Sequence, residues 1–200
     1  MTVYTVPAGP LRANSYLITQ DGENAVLIDC GGKEPLLFAK EKGLSVRYVL
    51  LTHGHFDHIG GCAAAQEAGA EVACLDKEAP LLSSRANLAA DAGVPVPPFR
   101  ADFTFRGGER LSLCGMTFNV VATPGHTPGG ACFVCGGCLF TGDTLFFESV
   151  GRTDFPGGSG AQLRESVKKL LALDGDMTVY PGHDEPTTLA HERAYNPFAQ

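Results

Sequence analysis

Residues 52–58, Thr-His-Gly-His-Phe-Asp-His, put four side chains able to hold a cation within six positions: His53, His55, Asp57 and His58. In extended backbone alternate residues share a face, so His53, His55 and Asp57 can converge, while His58 points elsewhere as the chain turns into a helix. That spacing fits two adjacent metal ions. Three further residues of the same chemistry lie downstream: His126 in TPGHTPGG, Asp143 in FTGDTLF and His183 in YPGHDEP, each beside a glycine and each after an expected strand. Taken singly, a histidine at a strand end caps backbone and a Gly-Asp pair makes a turn. Taken together, five of the six histidines and two aspartates gathered at strand ends form the imidazole and carboxylate set that zinc or iron uses. The sixth, His191, falls in a late helix and is expected at the surface.

Strand ends must therefore position these groups. Apolar, β-rich runs around 3–6, 14–19 and 25–29, separated by Gly, Pro, Asp or Asn, predict a strand meander. Glu34-Pro35 opens a helix that stops at Gly43, and the apolar run 46–51 predicts the strand that delivers His53. A short helix over 59–68, a strand over 71–75 and a second helix over 77–90 follow. The VPVPPF piece at 94–99 is expected to be a rigid loop near the mouth of the cleft. Short strands return from 103 to 141, including a hairpin of 131–135 with 138–142 around Gly136-Gly137. One helix over 161–173 and one strand over 178–180 close the pattern. Two blocks of strands, each followed by helices, predict two sheets packed face to face with helices outside, in a single domain over 1–200.

With 200 residues, 44% of them hydrophobic and 18% charged, the composition is that of a compact globular protein. Twenty-two acidic against 15 basic residues give a net charge of −7, which argues against a nucleic-acid partner. No apolar run reaches the length of a membrane span, and the first residues lack a basic segment followed by an apolar one, so neither a membrane association nor a signal peptide is expected. Seven cysteines, an odd number, read as reduced thiols of a cytoplasmic protein.

THGHFDH followed in order by His126, Asp143 and His183 resembles the metallo-β-lactamase fold superfamily, and the match spans essentially the whole chain. Within it, NSYLI at 14–18, IDCGG at 28–32, TPGHTPGG at 123–130, VGRTDFPGG at 150–158 and HERAYNPF at 191–198 resemble the small, single-domain glyoxalase II-like hydrolases. The resemblance implies a four-layer αββα sandwich, an α+β fold of two mixed sheets with helices outside and the metals at the open edge between the sheets. It implies two divalent metal ions, zinc first, with iron or manganese possible. His53, His55 and His126 would hold one, Asp57, His58 and His183 the other, and Asp143 would bridge both. Asp57, His58 and Asp143 would then carry catalysis through a metal-bridging hydroxide that attacks a thioester of the hydroxyacylglutathione type. Asp29, at the end of the strand in LIDCGG, resembles the acid that orients the ligand loop.

The larger glyoxalase II enzymes add a C-terminal helical domain that supplies glutathione-binding surface, and no such domain is expected here. Phe146, Phe147 and Arg152 are the candidate substrate contacts, Arg152 being placed either to meet a substrate carboxylate or to form an internal ion pair. The competing expectations are a mono-iron persulfide dioxygenase, which shares the fold and a GRTDF-like segment, a lactone or other ester hydrolase, and a non-catalytic module with a structural metal. Cys132, Cys135 and Cys138 have ligand spacing but straddle a hairpin, and read as small buried hydrophobes. Ser159 with Gln162 reads as a helix capping box rather than a phosphate loop.

Overall fold

The computed structural model describes residues 1–199. Strand β1 (Thr2–Ala8) pairs antiparallel with β2 (Ala13–Thr19), and β2 with β3 (Asn24–Ile28). Parallel strands β4 (Ser45–Leu50), β5 (Glu71–Leu75) and β6 (Phe103–Phe105) complete a six-stranded mixed sheet in the order β1-β2-β3-β4-β5-β6. The second sheet is formed by β7 (Arg110–Leu113), β8 (Met116–Ala122), β9 (Ala131–Cys135), β10 (Cys138–Gly142), β13 (Thr178–Pro181) and β14 (Thr187–Thr188), ordered β14-β13-β10-β9-β8-β7. Between β10 and β13 the chain makes a small hairpin, β11 (Leu145–Phe146) with β12 (Ser149–Val150).

Period-two alternation sorts side chains between layers. In β2 and β3, Tyr16, Ile18, Val26 and Ile28 point inward to meet Phe118, Val120, Phe133 and Phe140 of the second sheet, while Leu17, Ala25 and Leu27 point outward. The outward face of the first sheet is covered by α1 (Glu34–Glu41), α2 (Phe56–Ile59) and α3 (Cys62–Glu67), which bury Ala39, Ile59, Cys62 and Ala65. The outward face of the second is covered by α6 (Gly160–Leu171), through Leu163, Val167 and Leu170, and by Leu189 at the start of α7 (Leu189–Tyr195). The result is the expected αββα sandwich. Aromatic packing of Tyr16 in the first sheet on Phe140 (centroids 5.5 Å apart) and Tyr180 (5.1 Å) in the second ties the sheets together beneath the functional edge. Truncating such a buried ring to alanine costs about 3–5 kcal/mol.

Several expected elements take a different form. The helix expected over 59–68 divides into α2 and α3 at Gly60-Gly61, where the chain passes so close to Gly31 and Gly32 that a Cβ would strike backbone oxygens. The helix expected over 77–90 is broken into α4 (Ala79–Leu82), a 3-10 turn over 85–87 and α5 (Ala89–Ala92), because Leu88 adopts a left-handed φ of +66°. The box at the start of α6 is half formed: Ser159 Oγ accepts from Gln162 N–H at 3.4 Å, but the Ser159 N–H goes to Gly125 O instead of to Gln162. Cys132 is buried on the outer face with Leu139 and Val179, away from Cys135 and Cys138, which oppose each other in register on the inner side. Among the described residues no helix is long and apolar enough to cross a membrane.

Candidate metal centre

Parallel pairing places the donor residues. Asp29 leaves β3 where Thr52 and His53 leave the neighbouring β4, and in the other sheet Asp143 and His183 leave the parallel pair β10 and β13, matched at Gly142 and Pro181. His126 comes from the β8–β9 connection. All seven predicted donors meet at this one edge, the place where carboxyl ends of parallel strands build sites. Ligand atoms of His53, His55 and His126 lie within 4.8 Å of one another, and so do those of Asp57, His58 and His183. Asp143 lies between: its Oδ1 is 3.4 Å from His58 Nε2, and its Oδ2 is 3.5 Å from His126 Nε2 and 3.8 Å from His183 Nε2. Asp57 Oδ2 is 3.2 Å from His183 Nε2 and 3.7 Å from His58 Nε2. Gly182 is required here, since a Cβ would run into Asp143 Oδ1 and the His58 ring.

Hydrogen bonds determine which imidazole nitrogens face inward. Asp29, at a left-handed φ of +57°, accepts the Thr52 N–H on Oδ1 at 2.8 Å. Its Oδ2 accepts the Thr52 hydroxyl at 2.7 Å and His58 Nδ1–H at 2.8 Å. The committed Thr52 hydroxyl oxygen can then accept His53 Nδ1–H at 3.1 Å, and Arg152 O accepts His126 Nδ1–H at 2.7 Å. These bonds leave Nε2 of His53 and His126 as lone pairs and turn Nε2 of His58 toward the carboxylates of Asp57 and Asp143. His55 Nδ1 sits 2.9 Å from His126 Nε2. Two nitrogens bound at 2.0–2.1 Å to one tetrahedral ion lie about 3.3 Å apart, so this close pair is the signature of donors aimed at a common cation.

The donor set fits metal. His53 Nε2, His58 Nε2 and Asp143 Oδ1 are buried without any hydrogen-bond partner, a cost that a folded protein bears where an ion compensates it, and His55 Nε2, across the ring from the Nδ1 that faces His126, is buried and unpartnered as well. Burial, reinforced by the rings of His58, His126 and His55, holds His53 well below the ordinary imidazole value. Burial and the adjacent His126 and His58 push His55 down to about 3. Burial also opposes charge on His58, but the facing carboxylates of Asp57, Asp29 and Asp143 prevail and raise it to about 10 in the metal-free cluster. Against its own burial, Asp57 is held below the usual carboxylate range by His58 and by its bond to His183. The group Asp29, His53 and His58 also clusters, yet both Asp29 oxygens are spent on Thr52 and His58 Nδ1.

Three supports were not foreseen. Glu78 is fully buried and joins two ligand loops: Oε1 accepts Gly54 N–H at 2.8 Å, while Oε2 accepts the Thr127 hydroxyl at 3.0 Å and Gly129 N–H at 2.8 Å. Burial raises its carboxyl above the usual value, although those three donors favour the charged form. Asn14 Nδ2 donates to Pro181 O (3.1 Å) and Asp184 O (2.9 Å), bracketing His183, and the Tyr16 hydroxyl donates to Pro181 O at 2.6 Å. The signal available in sequence was an acid after an apolar strand and the NSYLI segment, neither of which names its partner.

Above the donors opens a cleft of about 390 Å³ with Leu11, Phe56, Leu88, Phe146, Val150 and Phe155 on its walls, and Arg152 at its side. Arg152 forms the internal ion pair: its guanidinium makes a two-pronged contact with Asp154 (2.7 and 2.6 Å) and lies 4.1 Å over the Phe155 ring. Phe147 is outside this lining and stacks on His191, which is half-buried, with Nε2 3.0 Å from Glu148 Oε1. The 94–99 loop also stays outside it; Val94 and Pro95 border a separate cavity beyond Phe56.

A two-sheet sandwich with a two-part histidine and aspartate centre at its open edge defines a class of metal-dependent hydrolases. The chain belongs to the metallo-beta-lactamase superfamily, whose family model matches residues 8–183. It is 37% identical to the hydroxyacylglutathione hydrolase GloC of Haemophilus influenzae, over 99% of this chain and 98% of that protein. Its fold superposes on the crystal structure of the B3 metallo-beta-lactamase BLEG-1 with a TM-score of 0.93 and 34% identity, covering 100% of both chains. The protein TTHA1623, solved in a di-iron-bound form, gives a TM-score of 0.88 and 38% identity over 98% of this chain and 100% of that one.

Proposed function

We propose that the protein is a binuclear metal-dependent thioesterase acting on small acyl thioesters of the hydroxyacylglutathione type, in a cleft built within this one domain. The observation that carries the reading is the undivided set of seven candidate donors at one sheet edge, four of them with a buried polar atom that lacks any hydrogen-bond partner, in a chain similar from end to end to a hydroxyacylglutathione hydrolase. In this reading His53, His55 and His126 hold one divalent cation, Asp57, His58 and His183 a second, and Asp143 both. When bound, such a pair supplies Lewis acidity toward an acyl carbonyl and an ionised water near neutral pH. Zinc and iron suit the donors equally, and the di-iron form of TTHA1623 supports iron as an occupant beside zinc.

The chain's own residues do the rest. Asp29 and Thr52 hold the His53 and His58 rings so that no side-chain rearrangement is needed when a cation or substrate arrives. The walls formed by Leu11, Phe56, Leu88, Phe146, Val150 and Phe155 strip water from the acyl group and strengthen electrostatic contacts below it. Phe146 and Arg152 are the proposed substrate contacts; Arg152 would meet a substrate carboxylate by exchanging Asp154 for it.

The test is hydrolysis of S-lactoylglutathione by purified protein, with metal content measured on the same sample and chelated protein as control. Chelator-sensitive turnover with two metals per chain is the expected result. Oxygen consumption on glutathione persulfide with one iron per chain would replace the reading by a dioxygenase, and faster opening of a β-lactam than of any thioester would replace the substrate class.

A further inference from the structure

The segment HERAYNPF, residues 191–198, touches none of the seven donors, yet it contains a fully buried acid. Glu192 is 0% and Asn196 3% exposed. Glu192 Oε1 accepts the Thr187 hydroxyl at 2.7 Å, and Oε2 accepts both the Glu148 N–H at 3.0 Å and Asn196 Nδ2–H at 2.7 Å. Asn196 Nδ2 also donates to Ser149 O at 3.1 Å. From α7 and the residue that follows it, therefore, this buried pair reaches across to the backbone of the β11–β12 turn.

That hairpin has little to hold it by itself. Its ladder is two residues long, Leu145 with Val150 and Phe146 with Ser149, and a ribbon this short is not independently stable. Its turn puts Glu148 at a left-handed φ of +49°, a conformation that persists in a non-glycine residue where surroundings impose it. The same hairpin is one wall of the cleft: Phe146 and Val150 line it, and the Phe146 ring lies 6.4 Å from the His183 ring. We propose that Glu192 and Asn196 are positioning residues that hold the β11–β12 hairpin against the cleft, and so set the width available to the acyl group and which thioesters fit. The inference rests on the thioesterase reading only for the substrate used to read it.

Three variants of the complete metal-loaded chain test it: Glu192→Gln, Glu192→Ala and Asn196→Asp. In Glu192→Gln the amide oxygen can replace Oε2 for Glu148 and Asn196, while its NH2 donates to the Thr187 hydroxyl, so near-normal behaviour is expected. Asn196→Asp is almost isosteric but offers no N–H to Ser149 O and sets a second carboxylate against Glu192. The readouts are amide hydrogen exchange over 145–150, metal content, and KM and kcat on an acyl thioester. Glu192→Ala and Asn196→Asp should speed exchange in the hairpin and raise KM about ten-fold, with kcat and metal content within about two-fold of the parent. Unchanged hairpin exchange in folded Asn196→Asp overturns the proposal, as does equal damage from Glu192→Gln and Glu192→Ala, or a loss that follows metal content with KM constant. Should Glu192→Ala fail to fold, the other two variants still decide. If the parent hydrolyses no thioester, the functional reading fails, whereas the exchange data continue to judge the hairpin.

Discussion

The two halves of the donor cluster are built on different electrostatics. His53, His55 and His126 form an all-imidazole group, and in it burial keeps His53 and His55 below the ordinary value, His55 at about 3. Asp57, His58 and His183 form a mixed group in which carboxylates hold His58 up to about 10 and raise His183 despite burial. His53 and His55 therefore offer free lone pairs at neutral pH, whereas His58 and His183 are pushed toward holding protons that a cation must displace. Surroundings differ too: His53 and His55 are buried at the foot of the cleft, while the His183 side chain is 26% exposed and is bracketed mainly by Asn14 and Tyr16 through backbone. One centre thus pairs two imidazoles that resist protonation with two that favour it.

Asp143→Ala is the severest way to break the contrast, because Asp143 faces both halves. Metal content should fall and kcat should drop by at least about 100-fold, the scale of losing one preorganised charge-stabilising group; normal activity with normal metal content would refute shared use of Asp143. Acidity should divide the halves. His58 carries a displaceable proton below about 10, so cation loading of its half should rise at least about ten-fold per pH unit, while His53 and His55 have no proton to displace between about pH 5 and 8 and loading of their half should depend less on pH. Metal titrations with proton release measured in parallel would show this, and two pH-independent affinities would contradict it. Asp29→Ala removes the acceptor of His58 Nδ1–H and Thr52 together, and chelator competition should register a 10–100-fold weaker affinity, roughly, concentrated in the His58 half. Equal weakening of both halves would show that Thr52 transmits the loss to His53. The smallest effect expected is that of Glu78→Gln, which sets an amide NH2 against one of the N–H donors of Gly54 or Gly129. Stability should fall by about 1–3 kcal/mol, or roughly 2–4 °C in Tm per kcal/mol, with metal affinity little changed; thermal unfolding of the metal-free chain measures it.

The clustering of the seven candidate donors was legible because its signal is local. THGHFDH carries four of them in one run, and a glycine adjoins each of His126, Asp143 and His183 where the chain leaves a strand. The supports were not, because each acts over a long span: Glu78 reaches Thr127 across 49 positions and Tyr16 reaches Pro181 across 165. Arg152 left two readings open in the sequence, and the structure supplies Asp154, two residues on, as its partner. The single helix expected over 77–90 failed for a related reason, since the left-handed turn at Leu88 is imposed by packing rather than by propensity, and Leu88 lies on the cleft wall.

Residue type and spacing by themselves determined which side chains are available to the candidate centre and the alternation that makes two sheets face each other, since side-chain chemistry and period-two patterning are written residue by residue. Only the tertiary structure decided which imidazole nitrogens point inward, which half binds protons, and that α7 braces the cleft wall through Glu192 and Asn196. Those properties depend on distances between groups that the chain separates widely, and folding alone brings them within hydrogen-bonding and Coulombic range.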